Sequence, residues 1–525
     1  MAWSSAFLTR LQQRHQPCWM IEAFESAQGQ ALGDPLMVLT SHEVGVGVVC
    51  LDPQGLVFGA RSVLPQSWSY QSGAWSFVVA SNLEAIRNIV RGIRRGVFVV
   101  LRAGFIDWAI SEWEVVEVGQ VRQVRRGPSS MLAVEVWDLI TALRNRLSTT
   151  VTEVNYGFNA RKSTPIAVTD YVVGAVTLDV TSTTGWDRDD TEPGVIRIEP
   201  SSGDEPFFVF WTAKTATSFT ISATAALDSV LSAAAIGSAV YSVSYFGSLH
   251  PCRAALKALI STGVAGANGT NDTLPEDHGF AVPFDFVSDS SFLALETAMV
   301  PAAGTWRWEA ICEDELDDGI GYWQGLLNPL GIWLGMAQGE IVPRCVQDTR
   351  SQSTLIRDLN ITITDADVVF EEMAVATCDF ADPDSAMEYL ASSIFWYGGT
   401  TSTASTYMSS MPVGEVYPTN IVELVLANEA AVAAEVQSRI SPWLLNVPER
   451  LELTLAGSHW ARLCPGDPVK LELNRLIVAG GFSGTVDGYN GRYGLIISVQ
   501  PDFLAARVAV VVLVLPVDDA DAWGS

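Results

Sequence analysis

The chain has 525 residues and a formal net charge of −28, with 48% apolar residues. That apolar share is enough to build real cores, which excludes wholesale disorder, and the length leaves room for three or four domains. The charge excludes nucleic acid as the main partner, because phosphate binding needs clustered Lys and Arg.

The charge is also uneven. Residues 1–150 hold 13 Arg and no Lys against 12 carboxylates, so nearly the whole deficit falls in the remainder. An acidic lining would suit a conduit that DNA passes without sticking; a solvated acidic surface is the alternative. The seven cysteines, Cys18, Cys50, Cys252, Cys312, Cys345, Cys378 and Cys464, are odd in number, scattered and without a CxxC pair. Neither a zinc site nor a disulfide framework is expected, and the usage fits a reducing cytoplasm. Met1 to Met20 has no continuous apolar core, so no leader peptide is expected. The longest apolar run, Val508 to Leu515, is far short of a membrane-spanning helix and is predicted as a strand.

Residues 1–160 are predicted as a β-barrel-like domain. Trp19, Ile21 and Phe24 open it, Leu36–Leu39 and Val44–Leu51 continue it, and a turn at Ser69–Ala74 feeds a strand through Val79. Leu83–Val90 has helical spacing, Val97–Leu101 is a short strand, and Glu112–Arg125 pairs with Met131–Val136. Trp137–Leu147 is predicted as a closing helix, from Leu139, Ile140, Leu143 and Leu147. The Arg rows (Arg87, Arg91, Arg94, Arg95; Arg122, Arg125, Arg126) are either a surface for an acidic partner or a solvated face.

Residues 165–246 change texture to Thr, Ser, Ala, Val and Asp, and are predicted as a small all-β insertion. Trp186 or Trp211 would serve carbohydrate if exposed, and core if not. Residues 247–354 are predicted as mixed α/β, with helices at Cys252–Ser261 and Ser291–Val300, a strand at Thr305–Ala310, and a hairpin from Gly331–Met336 and Glu340–Pro343. Tyr322, Trp323 and Trp333 are assigned to aromatic loops, as partner contacts or as core. Residues 355–525 are predicted as a second β-barrel-like domain with an acidic tail. Ile361, Ile363 and Val368 lead to Met373, Val375 and Thr377. Asp384–Ser393 is a short helix or excursion, and Gly398–Pro412 a loop.

Asn420 to Pro516 is the most ordered stretch. Ile421–Leu426 is extended, Asn428 caps a helix over Glu429–Ile440, and Pro442 ends it. Leu451, Leu453 and Leu455 alternate with Glu452 and Thr454, as in a half-buried strand. Arg462-Leu463-Cys464-Pro465-Gly466-Asp467-Pro468-Val469 is a tight turn into Val469, Leu471 and Leu473. A glycine-rich loop, Gly480–Gly494, separates these from closing strands at Tyr493–Val499 and Ala506–Leu515.

This order, with its Gly-Asp-x-Val turn, resembles the C-terminal region of tailed-bacteriophage tail hub proteins, the baseplate-hub-like family of the tail tip. The resemblance covers 247–516 well and 1–160 loosely, with 165–246 as an insertion. It implies a β-dominated α+β multidomain fold with two tube-type β-barrel or sandwich domains, a mixed α/β segment and the all-β insertion. It further implies a homotrimeric ring joining a six-fold tube to a three-fold tip and gating the DNA channel. The implied partners are a distal tail protein ring, a tape measure protein and a central fibre or spike, with DNA only in transit. The implied location is the virion tail tip, after synthesis in the host cytoplasm. A hexameric distal tail protein, a glycan-recognising receptor-binding protein and a tail-lytic enzyme are the alternatives.

No enzyme is expected, and no catalytic, cofactor-binding or metal residues are assigned. His15, His42, His250, His278 and His459 form no HExxH or other ligand spacing, and neither a nucleophile elbow nor a phosphate loop is present. Two acidic runs, Asp187/Asp189/Asp190/Glu192 and Glu313/Asp314/Glu315/Asp317/Asp318, lack the EF-hand glycine and terminal glutamate, and are expected to be solvated loops.

Overall fold

In the computed structural model, the alternating apolar residues of both chain ends become two antiparallel-rich sheets that share a core. The structure describes residues 3–13, 15–24, 34–64, 68–80, 95–126, 131–144, 163–186, 193–226, 229–261, 279–280, 282–299, 307–312, 319–350, 352, 355–356, 360–369, 374–377, 395–398, 401–404, 426–427, 438–439, 442–443, 448–474 and 489–515. The fold is β-dominated α+β and multidomain.

The first ten strands are β1 (Cys18–Phe24), β2 (Met37–Thr40), β3 (Val48–Val49), β4 (Leu51–Phe58), β5 (Arg61–Leu64), β6 (Ser69–Gln71), β7 (Trp75–Ala80), β8 (Phe98–Gly104), β9 (Glu114–Arg126) and β10 (Met131–Asp138). Eight of them form the first sheet, in the order β3-β2-β1-β8-β9-β10-β7-β4. The helix predicted from Trp137 starts later, at Leu139–Arg144, because Trp137 still belongs to β10, paired with Gln120. The expected turn at Ser69 is in part the strand β6, which pairs with β5.

The insertion is a six-stranded sheet ordered β11-β16-β13-β14-β15-β12, from β11 (Ser163–Pro165), β12 (Thr177–Asp179), β13 (Gly194–Glu199), β14 (Phe207–Lys214), β15 (Ser218–Ala225) and β16 (Ala239–Ser242). Its apolar face has its own core, from Ile166 to Val240.

In the middle segment β17 (Ser244–Leu249) pairs with β18 (Arg307–Cys312), and β19 (Ile332–Ala337) with β20 (Glu340–Cys345). Helices at Pro251–Ile260, Asp289–Ala298 and Gly319–Leu327 pack beside them. The helix Pro251–Ile260 is started by Pro251 in its first turn and capped by the His250 Nδ1, which accepts from the Cys252 N–H at 3.1 Å.

The last sheet comprises β21 (Thr362–Thr364), β22 (Ala374–Thr377), β26 (Glu449–Ala456), β27 (Pro468–Glu472), β28 (Arg492–Asp502) and β29 (Arg507–Val514). Its order is β21-β27-β28-β29-β26-β22, joined off that path by β5 and β6. Between β22 and β26 stand β23 (Phe395–Gly398), β24 (Thr401–Ala404) and β25 (Leu426–Ala427). The expected loop at Gly398–Pro412 is therefore a hairpin at its start, β23 pairing with β24; Thr401 and Thr403 favour extended backbone despite the polar composition.

Lettered a to f in chain order, β1, β4, β7, β8, β9 and β10 of the first sheet are ordered a-d-e-f-c-b. So are β21, β22, β26, β27, β28 and β29 of the last. The registers match as well. Phe98 faces Gln120 as Pro468 faces Leu495. Val136 faces Trp75 as Val512 faces Leu451, and Val134 faces Phe77 as Val510 faces Leu453. Gly96 N–H donates to Val121 O and Val121 N–H to Val97 O. Gly466, Ile496 and Asp467 repeat that pair of bonds.

In both sheets strand e carries an extra residue at the next position, Arg122 in β9 and Ile497 in β28. Gly119 and Gly494 are equivalent too: a Cβ at either would lie within 3 Å of the Cγ1 of Val136 or Val512 on the neighbouring strand. One difference stands out, because β1 runs antiparallel to β8 but β21 parallel to β27.

The equivalent apolar residues of the two sheets bury into a single cluster. It contains Trp75, Phe77, Val79, Val99, Leu101, Val134 and Val136 with Leu451, Leu453, Leu455, Val469, Leu471, Val510 and Val512. Trp19 of β1 meets Phe503 edge-on at 5.0 Å, and Phe58 meets it at 5.3 Å.

Candidate functional site: the junction between the sheets

The β5–β6 hairpin leaves the first sheet and adds to the last one. Arg61 pairs with Val499 and Ser62 with Ser498, continuing the side of β28 that β27 occupies earlier in the strand. Backbone pairing of this kind gives affinity with little sequence demand, as in strand addition between chains.

Around this hairpin, three distant parts of the chain meet through buried polar groups. The Arg61 guanidinium lies 3.2 Å from the Glu117 carboxylate of β9, both side chains almost fully buried. Arg61 also donates to Met336 O in β19 at 3.4 Å and to Ala461 O at 3.5 Å. Burial drives the Glu117 carboxyl above its ordinary range, against the opposing pull of Arg61. Nearby Arg344 of β20 donates to Asp467 at 2.9 Å, and Asp467 also accepts from the Cys464 N–H at 2.9 Å. The Pro-Gly-Asp turn is thus more than a chain reversal: its carboxylate holds the middle hairpin.

An aromatic stack completes the junction. Trp68, in the β5–β6 turn at a positive φ of 48°, stacks on Trp333 at 6.0 Å. Trp443 meets Trp68 edge-on at 6.5 Å and donates its indole N–H to Gln347 O at 3.0 Å. The Gly466 backbone at φ 100° lies under this stack, where a Cβ would be 2.6 Å from the Trp333 ring.

These positions settle several expectations. Trp323 and Trp333 lie on a helix and a strand rather than in loops, and both are wholly buried, so they are core; Tyr322 is partly buried. Trp186 and Trp211 are core too, each packed on Phe219 at 5.1 and 5.3 Å, which removes them as an exposed sugar platform. Arg122 pairs with Glu135 at 2.6 Å and lies over the Trp137 ring at 5.1 Å. Arg125 is 71% exposed, with Glu135 at 4.0 Å. His15 and His42 are exposed, whereas His250 and His459 are buried and held neutral, burial lowering them to about 3 and about 4. Arg87, Arg91, Arg94, His278, both acidic runs, and the readings at Leu83–Val90, Asp384–Ser393, Ile421–Val425 and most of Glu429–Ile440 and Gly480–Gly494 lie outside the described residues.

A cleft of about 860 Å³ is lined by Glu22, Arg102, Glu112, Glu114, Asp285 and Glu340 among others. Three of its carboxylates serve structural bonds: Glu22 binds Arg102 at 2.7 Å, Glu114 accepts from Ser4 N–H and Glu112 from Ala109 N–H, each at 2.9 Å. Among the described residues, no group of three or more His, Cys, Asp or Glu is placed to hold a metal, and no helix is long and apolar enough to cross a membrane. The junction fixes two sheets and a hairpin in one arrangement. Sequence reasoning missed Arg61, Glu117 and Trp68, which carry no local signature of their contacts; only the repeat around them leaves a trace, in the Gly-x-x-Val-x-Leu of Gly96–Leu101 and Gly466–Leu471.

No family model and no curated protein matches this chain. Among solved structures it is similar to the 43 kDa tail protein of prophage MuSo2 from Shewanella oneidensis, at 12% identity over 96% of this chain and 99% of that one, with a TM-score of 0.34. It is similar to prophage tail protein gp18 from Listeria monocytogenes EGD-e, at 7% identity over 94% of each chain, with a TM-score of 0.34. It is also similar to a chain in the virion of a native gene transfer agent particle, at 15% identity over 43% of this chain and 79% of that one, with a TM-score of 0.16. At these scores the likeness is too loose to carry an inference about fold or function.

Proposed function

We propose that this chain is a structural, non-enzymatic protein of a phage tail, and within the tail the hub: three copies forming a ring at the tip. The observation that carries this reading is the repeat itself, two sheets of one strand order and one register in a single chain. A ring of three such chains presents six similar sheets, which is what a six-fold tube above a three-fold tip requires. The turn and strands at Cys464–Glu472 and Arg492–Val514, whose order resembles the hub family, form the second of these repeats.

In this proposal residues 1–160 and 355–525 are the two tube-facing domains, 165–246 is a peripheral insertion and 247–354 fastens the pair. The ring docks on a distal tail protein ring, receives the tape measure protein, and carries a central fibre or spike. It opens for DNA after host attachment, at the tip of a virion assembled in the bacterial cytoplasm. The buried Arg61–Glu117 and Arg344–Asp467 pairs, which fix the hairpins to both sheets, suit a part that transmits force.

Native mass of the complex from disrupted virions tests the reading. A threefold mass is expected. A sixfold mass would replace the hub with a distal tail ring, and absence of the chain from virions would overturn the tail assignment.

A further inference from the structure

The insertion carries a surface that its own core does not use. Its segments 166–176 and 229–238 run antiparallel: Tyr171 and Ala234 exchange both backbone bonds, Ile166 N–H donates to Ser238 O, and Gly237 N–H to Ile166 O. Tyr171 and Ala234 turn into the core of the insertion. Val168, Val172, Val173, Val176, Val230 and Ile236 turn outward, from 52% exposed at Ile236 to 85% at Val230. Six of the fifteen exposed large apolar residues among those described thus crowd into one short ribbon. Singly scattered apolar residues need no explanation, but a cluster marks a surface that a partner covers.

Around the ribbon the charge has one sign. Asp170 accepts the Ile236 N–H at 2.7 Å, and Asp179 accepts from Thr169 Oγ1 at 3.4 Å. Asp204 and Glu205, both exposed, follow Ser201, whose N–H donates to Ser238 Oγ at 3.0 Å. Residues 165–246 hold ten carboxylates against three Lys and Arg.

The first sheet exposes a second apolar face, at its β10-β7-β4 end. Trp75, Phe77, Val134 and Val136 point into the shared core, so the alternate residues Val78, Ala133 and Met131, with Val57 of β4, lie on the opposite face. Val57 is 57% exposed and Met131 39%. Arg125 sits opposite Ala133 and shares this face, 71% exposed. The carboxylates here are engaged, Glu135 with Arg122 at 2.6 Å and Asp52 with the Gln54 N–H at 3.0 Å.

We propose that the valine ribbon of one chain docks on this face of a second copy. Both surfaces are apolar at the centre, and the carboxylates around the ribbon complement Arg125. Ribbon against ribbon would instead set like charges together. Because the two surfaces differ, the contact is head-to-tail, the kind that closes a ring when the rotation permits. The inference deepens the ring reading and rests on it for the number of copies.

Cross-linking between two full-length variants tests the contact. Val173→Cys and Val57→Cys, mixed and oxidised gently, are expected to give a reductant-sensitive band joining one chain of each kind. A chain carrying both substitutions should give bands of two and three chains. The described cysteines are all buried, which keeps background pairing low. Adding Arg125→Glu to the Val57→Cys chain places a like charge against the acidic border and should lower the mixed band about fivefold. Absence of the mixed band, a yield that Arg125→Glu leaves unchanged, or bands joining only Val173→Cys chains would each overturn the proposal. A threefold virion mass with no mixed band would remove this contact and leave the hub; a mixed band from a protein absent from virions would do the reverse.

Discussion

The first and last sheets bury equivalent residues in a common core, yet their surroundings differ. Gly96 and Gly466 start the same strand with the same pair of backbone bonds, at φ 89° and 100°. Gly466 is pressed beneath the middle hairpin, against Trp333 and Arg344. The last sheet has its β28 strand paired beyond β27 by β5 from within the chain, whereas among the described residues β9 of the first sheet is paired on that side by β8 alone. Strand order fixes the core of each unit.

The largest effect should come from removing the stack that fastens the middle segment to the last sheet. Trp333→Ala empties a fully buried site and is expected to cost about 4 kcal/mol, read as a lowered midpoint in urea unfolding. A loss below about 1 kcal/mol would mean that the stack does not hold the junction.

Paired glycine substitutions sharpen the comparison. Gly466→Ala combines left-handed strain with overlap on Trp333 and should cost about 3 kcal/mol, while Gly491→Ala, at φ 73° with nothing within 4 Å of an added Cβ, carries the strain alone and should cost about 1 kcal/mol. Equal losses in thermal unfolding would erase the distinction between the two turns.

Arg61→Met leaves Glu117 buried without its partner, a change of about 3 kcal/mol at pH 8. The loss should shrink at pH 5. The folded-state Glu117 titrates above its unfolded value, so the protein keeps the proton through that window, and the stability it lends falls as pH rises. A pH-independent loss would show that Glu117 is not the group left stranded.

This pair also marks where the sequence stops being legible. The strand at Leu451–Leu455, the hairpin at Ile332–Cys345 and the helices Pro251–Ile260 and Asp289–Ala298 follow from local periodicity and turn residues, and they stand close to their expected bounds, whereas the helix Gly319–Leu327 stands where a loop is expected. The repeat does not follow, because its equivalents share apolar character rather than identity: Trp75, Phe77 and Val79 against Leu451, Leu453 and Leu455. Arg61 meeting Glu117 and pairing with Val499 is a tertiary contact with no local signature. The tryptophans misled for the same reason: composition is silent on whether an aromatic faces solvent or Phe219.

The smallest effect concerns acid. His250 is held neutral, with its Nδ1 accepting the cap bond, and its folded value lies at about 3, below its unfolded one. The stability it contributes is therefore complete above about pH 6.5 and is lost as pH falls towards 3, by about 2 kcal/mol at pH 5. Unfolding of His250→Asn, followed from pH 7 to pH 5, should show a shallower decline than the parent; parallel declines would remove His250 as a cause.

The most direct test of the account is an electron cryomicroscopy map of the assembled ring. Three chains should appear as six similar sheets, first and last alternating around the ring. Six chains around the ring, or first sheets that meet only first sheets, would contradict it.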